Sequence, residues 1–99
     1  MPNTILALIL SPTRELAIQT YESFTQFGSK SNVNPFVMYG GVSKKEQRDT
    51  FMTSDSNVLI ATPGRLMDFM NEGLVDLSRV KIVVLDEADR MLSFGYVRQ

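Results

Sequence analysis

Apolar residues along the chain fall into short aliphatic blocks separated by longer amphipathic stretches. Thr4 to Leu10, Pro35 to Tyr39, Val58 to Ala61 and Lys81 to Leu85 are rich in aliphatic and β-branched side chains, which predicts four strands. Three are nearly continuous apolar runs instead of alternating ones. That pattern suits parallel strands covered on both faces.

The intervening stretches carry helix punctuation. Ser11-Pro12-Thr13-Arg14-Glu15 offers hydroxyls for an N-cap and a Pro in the first turn. Leu16, Ile18, Tyr21, Phe24 and Phe27 follow at mostly helical spacing, and Gly28 stops the run. Ser43 and Glu46 form a capping box that opens a helix over Lys44 to Met52. Thr62-Pro63-Gly64-Arg65 opens a third helix, with Leu66, Phe69 and Met70 facing inward and Gly73 ending it. A fourth begins over Ala88 to Leu92, with a turn at Ser93 to Tyr96. Strand and helix in alternation predict an α/β fold with a parallel sheet. The chain starts almost inside a strand and stops just past a helical stretch, so an incomplete sheet with a cut edge is expected.

Ninety-nine residues allow one domain or part of one. Ten basic and eleven acidic side chains give a net charge of −1 and no broad electrostatic pull on nucleic acid. Any phosphate contact must come from a few well-placed groups. With no Cys and no His, disulfides, zinc fingers and Ser-His-Asp triads are excluded. The N-terminal apolar run is too short for a membrane span and lacks a signal peptide's basic flank. A soluble, intracellular protein without membrane contact is expected, with oligomeric state and compartment open. Lys44, Lys45 and Arg48 alternate with Glu46 and Asp49, which reads as a solvated helix face. The aromatic residues at helical positions, with Met70, read as core.

The chemistry concentrates after the last aliphatic run. Ile82 to Leu85 lead directly into Asp86 and Glu87, and open α/β sheets bind ligands beyond their strands' carboxyl ends. Nucleotide hydrolysis needs one carboxylate to help hold Mg²⁺ and another group to orient water. Neighbouring residues leave a strand end in different directions, so the pair can divide these tasks. The alternative is an acidic helix N-terminus favoured by the macrodipole. Two further blocks, at Pro12 to Gln19 and Thr62 to Arg65, lie at predicted helix starts, where free amides suit phosphate oxygens. Gly40-Gly41 permits close backbone approach, while Arg14 and Arg65 offer charge-assisted contacts. A cap at Thr62-Pro63, a turn at Gly40-Gly41 and a dipole partner in Glu15 are the structural alternatives.

Asp86-Glu87-Ala88-Asp89 resembles the signature of the DEAD-box RNA helicases. Three more blocks are similar to that family's motifs: Pro12-Thr13-Arg14-Glu15-Leu16-Ala17-Ile18-Gln19 to motif Ia, Gly40-Gly41 to the GG pair, and Thr62-Pro63-Gly64-Arg65 to motif Ib. All four stand in family order with family-like spacing and cover most of the chain. The resemblance implies that residues 1–99 are part of the first of two RecA-like domains, with ATP and Mg²⁺ as cofactors. It assigns Asp86 to Mg²⁺, through water, and Glu87 to positioning and activating water. Asp89 then couples ATP binding to closure against the second RecA-like domain. Pro12, Thr13, Arg14, Glu15, Gln19, Gly40, Gly41, Thr62, Pro63, Gly64 and Arg65 are assigned to the sugar–phosphate backbone of RNA, single-stranded or duplex. Backbone contacts imply indifference to base sequence.

A phosphate loop would carry a Gly-Lys pair, and the chain has none. The family's Q motif, its S-A-T block and the second domain's arginine finger are likewise absent from these residues, and the P-loop strand is missing from the expected sheet. The expectation is a fragment of an ATP-dependent RNA helicase, inactive by itself. The alternative is a catalytically dead remnant that binds RNA or a protein partner.

Overall fold

The computed structural model describes residues 3–28 and 32–86. The elements run β1 (Ala7–Leu10), α1 (Arg14–Gly28), β2 (Pro35–Met38), α2 (Lys44–Thr53), β3 (Val58–Ala61), α3 (Pro63–Asn71) and β4 (Ile82–Leu85). The four strands form one parallel sheet in the order β2-β3-β1-β4. Ala7, Val58, Pro35 and Ile82 share one level of the ladder, so all the strands stop together.

Alternation along the strands divides the core into two layers. Leu8, Phe36, Met38, Leu59 and Ala61 face α2 and α3, packing with Phe51, Leu66 and Phe69. Phe36 and Phe51 meet edge-on with centroids 4.9 Å apart. Ile9, Val58 and Ile60 face α1 on the opposite side, where Ala17 is fully buried and Tyr21 and Phe24 pack around it. A methyl group at position 17 lets the helix axis come close to the sheet.

The strand boundaries differ from the sequence pattern for identifiable reasons. Regular pairing in β1 begins at Ala7 instead of Thr4, because Leu6 and Ala7 both donate to the Asn57 carbonyl. β2 stops at Met38 because the Tyr39 N–H leaves the ladder for the Gln47 side chain. At β4, Lys81 donates to Leu6 O before the strand proper starts at Ile82.

The helix ends follow local chemistry. Thr13 caps α1, its hydroxyl accepting from Leu16 N at 3.1 Å, so Pro12 lies before the cap and outside the first turn. Ser43 caps α2, accepting from Glu46 N at 3.2 Å. Pro63 begins α3 behind Thr62, which occupies the N-cap position without a side-chain cap bond. Gly73, at φ 76°, closes α3: its N–H reaches Met70 O and that of Leu74 reaches Phe69 O. This is a Schellman closure, and it needs a left-handed residue at position 73.

The expectation of full coverage holds for β3 and fails for β4. Every β3 residue is buried, whereas exposure runs from 58% at Ile82 to 39% at Leu85. Neither core layer includes a β4 side chain. Met70 also departs from its inward assignment and is 43% exposed. Arg65 is the reason: it is 8% exposed and shares the buried arc of α3 with Leu66 and Phe69, which turns Met70 to the rim. The cationic face of α2 is solvated as expected, with Lys45 paired to Asp49 at 2.9 Å. Lys44 and Arg48 reach instead to Glu72, the C-cap residue of α3, at 3.1 and 2.9 Å. The Arg48 hydrogen bond, then the Lys44 one, hold the Glu72 carboxyl below the usual carboxylate range.

Candidate functional site

Because the strands are parallel and in register, residues 11, 39, 62 and 86 leave the sheet along one carboxyl edge. Backbone hydrogen bonds stitch these exits together. Thr62 N donates to Met38 O at 3.1 Å, Ser11 N to Ala61 O at 2.9 Å and Asp86 N to Leu10 O at 2.8 Å. Read across the sheet, the blocks stand in the order 39–42, 62–65, 11–19 and 86. The structure thus brings Gly40, Gly41, Thr62, Pro63, Gly64, Arg65, Pro12, Thr13, Arg14, Glu15 and Asp86 to one edge, with Gln19 following along α1. Glu87 and Asp89, the fourth helix and the turn at Ser93 to Tyr96 lie outside the described residues.

Asp86 is half-buried and oriented by two hydroxyls. Ser11 Oγ donates to its Oδ2 at 2.8 Å and Thr20 Oγ1 to the same atom at 2.5 Å. Ser11 is itself fully buried. No described residue donates to Oδ1. The carboxylate therefore fits the role of a single anchor for a hydrated Mg²⁺ whose remaining ligands are water and phosphate. A dedicated protein cage does not fit, since no cluster of three carboxylate, His or Cys ligands exists among the described residues.

The Gly40-Gly41 turn is built against two arginines with different tasks. Arg14, the first residue of α1, is exposed, and its guanidinium lies 5.4 Å from the Tyr39 ring centroid. Gly41 adopts φ 85°, and a Cβ there would meet Arg14 Nη1 at 3.4 Å. Arg65 is turned inward. Its Nη1 donates to Gln47 Oε1 and its Nη2 to Val42 O, both at 3.0 Å. Sequence reasoning offered Arg65 as a phosphate contact; its guanidinium is bound to the loop and to α2. Among the described residues, Arg14 is the exposed cation on this part of the edge.

Ser11, Thr20 and Gln47 were missed. Thr20 stands seven residues beyond Thr13 on α1, about two turns on and hence on the same face, which is a readable signal. Ser11 adjoins the strand end and was considered only as a cap. Nothing in the local pattern marks Gln47.

Parallel strands with helices on both faces and a polar carboxyl edge define a RecA-like α/β unit. The chain belongs to the DEAD/DEAH box helicase family, whose model matches residues 1–99. It is 51% identical over 90 residues to the ATP-dependent RNA helicase dbp3 of Neosartorya fischeri, covering 91% of this chain and 18% of that protein. With the Candida albicans DBP3 it shares 48% over 93 residues, 94% of this chain and 16% of the relative. Among solved structures, the yeast DEAD-box splicing factor Prp28 superposes with a TM-score of 0.75 at 34% identity, covering 95% of this chain and 22% of that one. A hypothetical ATP-dependent RNA helicase from Sulfolobus tokodaii gives 0.76 at 35%, over 95% and 28% of the two chains. The chain thus spans under a fifth of the length of these two curated relatives. No helix among the described residues is long and apolar enough to cross a membrane.

Proposed function

We propose that the chain supplies part of the ATP-binding RecA-like domain of an RNA helicase, in which ATP use is coupled to grip on an RNA backbone. One observation carries this reading: the Gly40-Gly41 turn, the starts of α1 and α3, and one oriented carboxylate lie side by side on a single sheet edge. The turn at 40–41 and the starts of α1 and α3 form a track for phosphate oxygens, with Arg14 as its open cation among the described residues. None of these groups reads a base, so the grip is indifferent to sequence.

Asp86 would hold Mg²⁺ through water, and the ion would neutralise charge on the transferring phosphoryl group. Ser11 and Thr20 fix the carboxylate through one oxygen and leave the other without a donor among the described residues. The family resemblance gives Glu87 the positioning of water and Asp89 the link to a second RecA-like domain. In-line phosphoryl transfer depends on phosphate-gripping parts that these residues do not contain, so the 99-residue chain by itself turns over no ATP.

The test is binding of fluorescent oligouridine and oligoadenosine to the purified chain. Similar affinities, both falling as salt rises, are expected. Arg14→Ala should weaken the two equally. Absence of binding, or a strong preference for one base, would overturn the RNA reading. RNA-stimulated ATP turnover abolished by Glu87→Gln would overturn the inactivity of the isolated chain. A native polypeptide much heavier than 11.1 kDa and containing these peptides would assign helicase activity to that longer chain. A stable product of that mass would favour a binding module without catalysis.

A further inference from the structure

We propose that Gln47 is a positioning residue for the phosphate-binding turn at Gly40-Gly41, and that it couples this turn to α3 through Arg65. The inference rests on the proposed RNA contact of that turn. The geometry behind it is a single shared acceptor. Gln47 Oε1 receives the Tyr39 N–H at 3.2 Å on one side of the turn and Arg65 Nη1 at 3.0 Å on the other. Arg65 Nη2 then takes the Val42 carbonyl at 3.0 Å. The residues before and after the two glycines are therefore both held, directly or through one guanidinium, by the same carboxamide.

Each participant is committed elsewhere. Gln47 lies in α2, whose start is fixed by the Ser43 cap, and Arg65 is buried among the first residues of α3. Gly40 has no atom within 4 Å of where a Cβ would stand, so the side-chain side of the turn faces open space there. Its conformation is set by polar contacts at Tyr39 and Val42, with Arg14 beside Gly41. Losing the Gln47 oxygen leaves the Tyr39 N–H without its partner and frees one arm of Arg65. A buried cation and an unpaired amide both favour rearrangement of the turn.

The experiment compares the wild-type chain with Gln47→Met, which keeps length without the acceptor, and Gln47→Glu, which restores it. Arg65→Lys is a third variant: it keeps the charge but loses the two-pronged reach. Amide exchange is followed by NMR at Tyr39, Gly40, Gly41 and Val42, and oligouridine binding by anisotropy. Gln47→Met and Arg65→Lys should lose protection at Tyr39 or Val42 and bind about tenfold more weakly, while Gln47→Glu stays near wild type in both readouts. Retained protection and wild-type affinity in Gln47→Met would overturn the proposal, as would equal losses in Gln47→Met and Gln47→Glu. If no form binds oligouridine yet Gln47→Met still releases the Tyr39 amide, the positioning role stands and the RNA reading fails.

Discussion

β3 and β4 are nearly the same strand in composition and opposite in circumstance. Val58-Leu59-Ile60-Ala61 is buried at every position between α1 on one face and α2 and α3 on the other. Ile82-Val83-Val84-Leu85 is exposed at every position and pairs on one side with β1. A continuous aliphatic run thus identifies a parallel strand but carries no information about which helices cover it. β3 holds the molecule together; β4 delivers Asp86 to the edge.

The contrast can be tested by truncation. Ile60→Ala is expected to cost about 2–5 kcal/mol, because the side chain is fully enclosed and a cavity remains. Val84→Ala, exposed in β4, should cost less than about 1 kcal/mol. Urea midpoints of the two variants measure the difference, and equal losses would break the comparison.

The same lesson separates what was legible in the sequence from what was not. The strands, the helices and most of their caps follow from period and punctuation, because aliphatic blocks and caps are local signals, whereas the strand order β2-β3-β1-β4 is not written in any local pattern. Coverage is not local: it depends on which helix lies over which strand. Arg65 and Met70 exchanged their expected places because a buried guanidinium is acceptable where it meets Gln47 and Val42, partners far away in sequence. The site blocks were legible as motifs, and their arrangement along one edge follows from parallel pairing. The hydroxyl pair on Asp86 was not legible, since Ser11 and Thr20 meet a carboxylate more than sixty residues away.

Three smaller effects sharpen the contrast. Arg65→Met, which removes the link between α3 and the turn beside β2, should cost about 1–3 kcal/mol in the same measurement. Ser11→Ala, which takes one hydroxyl from Asp86 at the end of β4, should cost about 0.5–1.5 kcal/mol, and the Asp86 amide resonance should shift. The smallest is the Glu72 clamp. Its carboxyl is held below the ordinary range in the folded state, so its stabilisation is complete above the unfolded value and is lost as pH falls through the lowered one. Urea midpoints taken from about pH 6 down to about pH 3 should therefore fall less steeply in Glu72→Gln than in the wild type.

The bare β4 also bears on how the protein behaves in concentrated solution. Ile82 to Leu85 form an uncharged, mostly β-branched stretch with Lys81 and Asp86 as its immediate charged neighbours. Such a stretch invites strands from other molecules to add along it, and those two charges act as its gatekeepers. Light scattering should rise with protein concentration and fall when Val83 is replaced by Lys. Recruiting Asp86 into an ion-bound site would remove one of those gatekeepers, so metal loading and colloidal stability are set against each other at the same carboxylate.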